Sequence, residues 1–462
     1  MNPIINKIPG QRSQVSGHIH FIGIGGIGMS AIARILKSQG EIITGSDSEP
    51  SKLTEELREE GIEVFYNHNK NNISKDTQLV VYTAAVLENN PELKEAKKRK
   101  IPCVTYSESL GQISKEHFTI AITGSHGKST ITSMLGFAMN KLKLDPTVLV
   151  GTLIPQLNNK NTIIGKSKYF VCEACEYKRT FLNLHPTAVL INNIDPDHFD
   201  YFKDEKDYQR AYIELMEKIP QNGFVIANYD DKLTKEACQK LKNKKIIYFS
   251  HKNKNIPYYL DQENNFYINK QKKGKLKLKI FGAHNYQNAL AVLTLLDQLN
   301  IDVKKAMKFI QEFTGSWRRF EYKGKINNAK IFDDYGHHPT EIKATLRAAK
   351  EQFPNKKIIV CFQPHQYNRT RNLLKEFATS FTDADSVIIP NIYKVRDNQE
   401  DQKAVTTQIL VNEISKHHKN VKNGRGFKNT AKILKETLNK DHMCLIMGAG
   451  DVFKITEMLE PD

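Results

Sequence analysis

The sequence predicts an α/β protein of three domains, each built on a largely parallel, helix-wrapped sheet. The length points there first: 462 residues is about three times the roughly 100–200 residues of a typical domain. Short apolar strands alternate with amphipathic helical stretches, the pattern of parallel sheets with crossover helices. Glycine-rich turns join strand to helix at two places, where such sheets gather their ligands.

The first unit runs from the strand His18 to Gly23 through a Gly-rich turn and the helix Met29 to Gln39. The strand Glu41 to Gly45 follows, then strands near Val64 and from Leu79 to Thr83, and the unit closes around Gly111. The strand Phe118 to Thr123 opens a second region, with further strands Tyr169 to Glu173 and Ala188 to Ile194. The third begins near Thr314 and carries strands Lys330 to Asp333, Lys357 to Phe362, Ser386 to Pro390 and Met443 to Met447. Domains are therefore expected over 1–113, 114–314 and 315–462. The Lys- and Asn-rich stretch 252–279 is expected as a surface hairpin region.

Apolar residues make up 39% and charged residues 26%, ordinary values for a soluble protein. No run approaches the roughly 20 apolar residues of a membrane span. Residues 1–17 lack an apolar segment and a small-residue cleavage site, so they read as a tail and the protein as cytoplasmic. Lys and Arg outnumber Asp and Glu by 68 to 51, a net +17 that suits a polyanionic partner. The lysine runs carry no interleaved aromatics, which argues for solvated surface rather than a nucleic-acid platform. Phosphate-rich small molecules stay open as partners. Six cysteines in so long a chain make no disulfide framework, and Cys172 and Cys175 are expected as buried, reduced thiols.

The strongest chemical signal is the loop Thr123-Gly124-Ser125-His126-Gly127-Lys128-Ser129-Thr130. It lies between an apolar strand and a helix that buries Ile131, Met134, Leu135 and Ala138 on one face. Backbone N–H groups and the helix N-terminus can surround a polyphosphate there, while a Lys neutralises it and a following Ser binds Mg²⁺. The usual pattern wants Gly at position 122, where this chain has Ile122. Glu173 ends one apolar strand and His198 follows another, so the loop, Glu173 and His198 could converge on one Mg²⁺–ATP. His198 could equally pair with Asp197 or Asp200.

Gly23-Ile24-Gly25-Gly26-Ile27-Gly28 also fits a phosphate-binding turn, with Asp47 ending the next strand where an acidic residue meets a ribose. Alone, it suggests an NAD-dependent oxidoreductase, a nucleotide-sugar site or merely a tight turn. Asp333-Asp334-Tyr335-Gly336-His337-His338-Pro339-Thr340-Glu341 could be a metal site or an ordinary helix start. His365 and Arg369 again follow a strand, and Arg369 could grip a carboxylate with both arms of its guanidinium.

Together these segments resemble the Mur ligase family over nearly the whole chain, most specifically in Gly23–Ala33, Thr123–Thr130, Glu173–Glu176, Asn193–His198, His284-Asn285 with Asn288, Arg318–Phe320, Asp333–Glu341, His365–Arg371 and Met447–Asp451. The resemblance implies a Rossmann-like uridine-nucleotide domain, a central P-loop ATPase domain, and a Rossmann-like C-terminal domain that closes on ATP and the amino acid. It implies ATP as co-substrate with Mg²⁺, and ligation of L-alanine to the lactyl carboxylate of UDP-N-acetylmuramate through an acyl phosphate. A preformed peptide in place of alanine is the nearest rival. By position, Lys128, Glu173 and His198 would be catalytic, and Ser129, Glu173 and His198 would hold the metal. Gly124 to Thr130, His284, Asn285, Asn288, Arg319 and Asp334 would bind ATP. Gly25, Gly26, Ile27, Gly28, Asp47, Thr83 and Ser107 would bind the sugar nucleotide, and Tyr335, His337 and Arg369 the amino acid. A monomer or weak homodimer is implied. The chain departs from the family's commoner residues at Gln366, Ser125, Ser129, Ala283 and Cys175, and Gln366 removes an Arg expected at the amino acid.

Overall fold

The computed structural model describes residues 17–461; the expected tail lies almost wholly outside them. Three sheets succeed one another along the chain. The first has order β3-β2-β1-β4-β5, with β1 His18–Ile22, β2 Ile42–Ser46, β3 Glu63–Phe65, β4 Thr77–Tyr82 and β5 Cys103–Thr105, all parallel. The order reverses beside β1, so the turn after β1 opens into the crevice where such sheets bind ligands.

The second sheet has ten strands, in order β15-β14-β13-β12-β11-β10-β6-β9-β7-β8. They are β6 Phe118–Thr123, β7 Thr147–Ile154, β8 Lys160–Ile163, β9 Tyr169–Glu173, β10 Ala188–Ile191, β11 Phe224–Asn228, β12 Lys245–Ser250, β13 Tyr258–Leu260, β14 Asn265–Ile268 and β15 Gln271–Lys275. The central strands β9, β6 and β10 are parallel and, but for the buried Thr119 of β6, apolar on their inner residues because helices cover both faces. The antiparallel run β13–β15 extends the sheet edge where the hairpin region was expected.

The third sheet, order β16-β17-β21-β18-β19-β20, comprises β16 Glu321–Ile326, β17 Ala329–Asp334, β18 Lys357–Phe362, β19 Ser386–Ile389, β20 Val421–Asn423 and β21 His442–Met447. Only β16 pairs antiparallel. The architecture is thus three α/β domains with mostly parallel sheets.

The helix Tyr106–Lys115 runs through Gly111 and past position 113, where the sequence reading ended the first domain. Its reason is packing: a Cβ on Gly111 would come within 2.4 Å of the Asn183 carbonyl oxygen, so this turn lies flush on the central domain. The linker after Thr314 is fastened to β7, with Trp317 N–H donating to Leu153 O at 2.9 Å and Thr152 Oγ1 donating to Trp317 O at 3.1 Å. None of the described helices is long and apolar enough to cross a membrane.

Candidate active site

The loop after β6 is held open by its neighbours. Gly127 caps the helix Lys128–Lys141 at φ +86°, a left-handed conformation that favours glycine. A Cβ there would also strike the Asn192 and Asn288 side chains at 2.7 and 2.8 Å. Ser125 N–H donates to the Asn193 carbonyl at 3.1 Å, and His126 N–H to Asn193 Oδ1 at 2.8 Å. Asn192 Nδ2 donates to His126 O at 3.1 Å, and Asp195 N–H to Ser125 Oγ at 2.8 Å. The sequence reading quoted Asn193 only as part of a motif; the structure makes it a strut of the loop.

Lys128 Nζ donates to Gly124 O and to Glu176 Oε2 at 3.0 Å. Burial would push the Glu176 carboxyl up, but the Lys128 ammonium and His198 outweigh it and hold it at about 2. Burial likewise opposes the charge on Lys128, and Glu176 reverses that and raises it. Ser129 Oγ donates to Glu173 Oε2 at 3.1 Å, and Gly151 N–H to Glu173 Oε1 at 2.6 Å. Burial raises the Glu173 carboxyl. His198, at φ +57°, places Nε2 3.7 Å from Glu176 Oε1, while its Nδ1 is buried without a hydrogen-bond partner. So Glu173 meets Ser129, and the His198 ring meets Glu176, while the His198 backbone N–H donates to Asp197 Oδ1 at 2.7 Å. Glu176 was not singled out from the sequence, although the spacing Glu-x-x-Glu at a strand end was there to read.

A cavity of about 240 Å³ lies between the second and third sheets and brings Thr130, His284, Asn285, Asn288, Arg319 and Asp334 together. Burial depresses His284 to about 4, leaving a neutral ring. Asn288 Nδ2 donates to Asn285 Oδ1 at 3.2 Å. Asp334 is fixed by N–H donors of Gly336 and Phe320, each at 2.8 Å, and burial raises its carboxyl.

The segment Asp333–Glu341 is a helix start. His338 caps the helix Pro339–Gln352 and Glu341 closes the capping box. Glu341 Oε2 accepts from His337 N–H at 2.8 Å, and its other oxygen lies 3.1 Å from His126 Nδ1. His126 Nε2 is 2.8 Å from Asp195 Oδ2, which also accepts from Thr340 Oγ1 at 2.7 Å. Burial works against an imidazolium, yet these two carboxylates raise His126 to about 10. His126, Asp195 and His338 lie together, their ligand atoms within 4.8 Å of one another, and His126 with Asp195 and Glu341 forms a charged clasp between the central and C-terminal domains.

Arg369 grips a carboxylate of the chain itself. Its Nε and Nη2 donate to the two carboxylate oxygens of Asp197 at 2.8 and 3.0 Å, and Nη1 donates to His365 O at 3.0 Å. Tyr335 and His337 do adjoin, with ring centres 5.7 Å apart, and His365 follows at 5.9 Å from His337. Burial lowers His337 to about 4.

In the first domain a cavity of about 850 Å³ is lined by Gly25, Gly26, Asp47, His68 and Thr83. Asp47 Oδ2 accepts from Gly25 N–H at 2.8 Å. His68, not singled out from sequence, rests 3.1 Å from the buried Glu92 carboxylate. A second cavity of about 330 Å³ carries Ile27, Gly28, Thr83 and Ser107 on one wall and Gly151 and Glu173 on the other. Gly28 allows Tyr106 to close on the turn, for a Cβ would lie 2.6 Å from its ring. Cys172 is buried as expected, but Cys175 is exposed, because it stands beyond the strand end on this second cavity.

Fold and site together define a three-domain α/β enzyme built around a strand–loop–helix phosphate cradle. Residues 18–118 match the family described as Mur ligase family, catalytic domain, residues 122–296 the Mur ligase middle domain, and residues 318–450 the Mur ligase, glutamate ligase domain. The chain is 44% identical over 451 residues to the UDP-N-acetylmuramate--L-alanine ligase of Alkaliphilus metalliredigens, covering 96% of each. It is 41% identical over 447 residues to the enzyme so named from Clostridium novyi, covering 95% of this chain and 96% of that one. The solved UDP-N-acetylmuramate-alanine ligase of Thermotoga maritima superposes with TM-score 0.79 at 29% identity, over 96% of this chain and 98% of that one. The chain belongs to the Mur ligase family.

Proposed function

We propose that the chain joins L-alanine to the lactyl carboxylate of UDP-N-acetylmuramate, consuming ATP and releasing ADP and phosphate, in the synthesis of peptidoglycan precursors. The observation that carries this reading is the cavity with the first Gly-rich turn on one wall and Glu173 on the other. A sugar nucleotide whose diphosphate lies on Gly25 to Gly28 can extend its carboxylate along that cavity toward Ser129 and Lys128.

The backbone of Gly124 to Thr130 and the Lys128 ammonium hold the β- and γ-phosphates. The adenosine occupies the cavity of His284, Asn285, Asn288, Arg319 and Asp334. Asp47, Thr83 and Ser107 hold the uridine nucleotide, and Tyr335, His337 and Arg369 form the amino-acid site. Oxygen donors suit Mg²⁺, and Ser129 Oγ and Glu173 are 3.1 Å apart, while His198 has a buried nitrogen without a partner; these three hold the ion, which when bound neutralises phosphoryl charge. The substrate carboxylate is itself the nucleophile, so the protein's work is positioning and charge neutralisation. Lys128 leaves Glu176 for the γ-phosphoryl group, and the alanine amine then displaces phosphate from the acyl phosphate. The protein acts in the cytoplasm as a monomer or weak homodimer.

Phosphate release with UDP-N-acetylmuramate and ATP, against a panel of amino acids and short peptides, tests the reading. L-Alanine is expected to give the highest kcat/KM; selective use of a preformed peptide would replace this reading by the peptide-adding one.

A further inference from the structure

Three electron-pair donors converge where the phosphate loop meets the C-terminal domain. His126 brings Nε2 to 2.8 Å from Asp195 Oδ2, and His338 brings Nδ1 to 3.5 Å from the same oxygen. The centres of the two imidazole rings lie 4.9 Å apart. His126 and Asp195 belong to the central domain and His338 to the C-terminal one.

The hydrogens of these groups do not satisfy them. His338 is 4% exposed, and burial, seconded by the charge of His126, lowers it and keeps its ring neutral. As the cap of its helix, its Nδ1 accepts a long bond of 3.4 Å from Thr340 N–H. The ring hydrogen is then on Nε2, which is buried without a partner. A histidine lone pair therefore faces a carboxylate oxygen, acceptor against acceptor, and the hydrogen that His126 carries on Nε2 goes to Asp195. Charge shows the same shortfall. Asp195 and Glu341 set two negative charges against the single positive charge of a protonated His126, while the charge of Arg319 is shared between Glu341 and Asp334.

The surrounding contacts are those that orient metal ligands. His126 Nδ1 lies 3.1 Å from Glu341 Oε1, the carboxylate–histidine pairing that fixes ring and tautomer behind a metal ion. Asp195 is held by the Thr340 hydroxyl at 2.7 Å and through its own N–H by Ser125 Oγ at 2.8 Å. Two imidazole nitrogens and one carboxylate oxygen make the three-ligand set of open zinc sites, whereas Mg²⁺ asks for oxygen donors. His126 also lines the cavity between the two domains, through which an ion and a water as fourth ligand can enter. The helix start beginning at His338 thus supplies one ligand, and the central domain supplies the other two.

We propose that His126, Asp195 and His338 bind a divalent transition-metal ion of the Zn²⁺ class, at a site separate from the Mg²⁺ set of Ser129, Glu173 and His198. The ion replaces the proton on His126 Nε2, which leaves to solvent, so that two carboxylates meet one divalent cation. Because its ligands come from two domains, the bound ion ties the C-terminal domain to the central one.

The test titrates Co²⁺, whose visible absorption is intense in a four-coordinate nitrogen and oxygen site and weak in an octahedral oxygen site, into full-length protein in excess Mg²⁺. Wild type and His198→Asn are expected to bind one equivalent with an intense band, which Zn²⁺ bleaches. His338→Asn, in which asparagine still caps the helix, loses the band. Glu341→Gln keeps all three ligands and weakens Co²⁺ binding about 10- to 100-fold. A wild type without the band, or a band that survives in His338→Asn, overturns the proposal. A band lost in His198→Asn overturns it as well, since the ion would then sit on the Mg²⁺ set.

Discussion

The central domain meets its two neighbours through seams of opposite character. Toward the first domain, one apolar cluster runs unbroken from Ile19, Phe21 and Ile32 through Leu110 and Ile113 to Leu149, Phe170 and Phe181. Its inner polar contacts are satisfied, with Lys160–Glu60 at the exposed rim. Arg34 Nη1 donates to Asn161 Oδ1 at 2.8 Å, Arg34 Nε to Glu60 at 2.8 Å, and Asn161 Nδ2 to Ser30 Oγ at 2.9 Å. Toward the C-terminal domain no buried cluster is shared, and the apolar contact is thin: Phe199 packs on the C-terminal core and the Phe281 ring edges onto Phe320 and Phe353. The charged and polar side-chain contacts there include Arg369–Asp197, His126–Glu341 and Thr340–Asp195, around the cavity assigned to ATP. A continuous apolar core fixes two domains as one body, whereas a small set of charged contacts around a cavity can open and re-form. The difference predicts a platform of the first two domains on which the third closes.

If that division holds, substitutions at the two seams separate activity from stability. The largest effect is expected at the platform's phosphate loop, where Lys128→Ala should lower phosphate release on the order of 10³-fold, the scale of a lost electrostatic contact in phosphoryl transfer. Circular dichroism should stay native; full turnover in this variant would sink the ATPase assignment. Next come the closing contacts. Asp197→Asn, and Glu341→Gln, which keeps the helix cap but drops its charge, should lower kcat/KM about 10- to 100-fold with little change in Tm. The platform seam should behave the other way. Asn161→Ala strands a buried Arg34 donor and should cost roughly 1–3 kcal/mol of stability, read in a urea titration, with kcat and KM near wild type. Equal losses of activity at both seams would break the comparison.

How far the sequence disclosed this depends on how local each feature is. The phosphate loop was legible because its function lies in turn residues and a helix start within eight positions, and the second Gly-rich turn was legible for the same reason. Strands buried on both faces, such as β6 and β18, read directly as apolar runs. The short edge strands Cys103–Thr105 and Val421–Asn423 did not, since three half-exposed residues carry no period. Long-range ion pairs were beyond reach. Glu176 acquires its meaning from Lys128, 48 positions away, and Asp197 from Arg369, 172 positions away. The Asp197 partner of Arg369 was therefore not legible in the Arg369 segment alone. Likewise Asp333–Glu341 stayed open between a metal site and a helix start until the structure supplied His126 as the partner of Glu341.

The smallest effect sharpens the same contrast through pH. Against burial, Asp195, which flanks His126 within the central domain, and Glu341, which reaches it across the seam, together raise it to about 10. Closure adds Glu341 and so strengthens proton binding at His126. The Glu341 share of that contribution is present while His126 is protonated in both arrangements and is lost as pH rises toward about 10. Asp195 and Glu341 act at the other end: both are held below their ordinary values, Asp195 by His126 and Glu341 chiefly by His337 and His126, against the opposing effect of burial. Their contribution is present above the ordinary carboxylate range and fades in acid. The closed form is thus favoured between those limits, and the radius of gyration from small-angle X-ray scattering should grow as pH is raised from 6 toward 10. His126→Asn should flatten that dependence, while Asn161→Ala, on the fixed seam, should leave it as it is. A pH profile unchanged by His126→Asn would show that the clasp does not govern closure, and would leave Arg369–Asp197 as the contact that does.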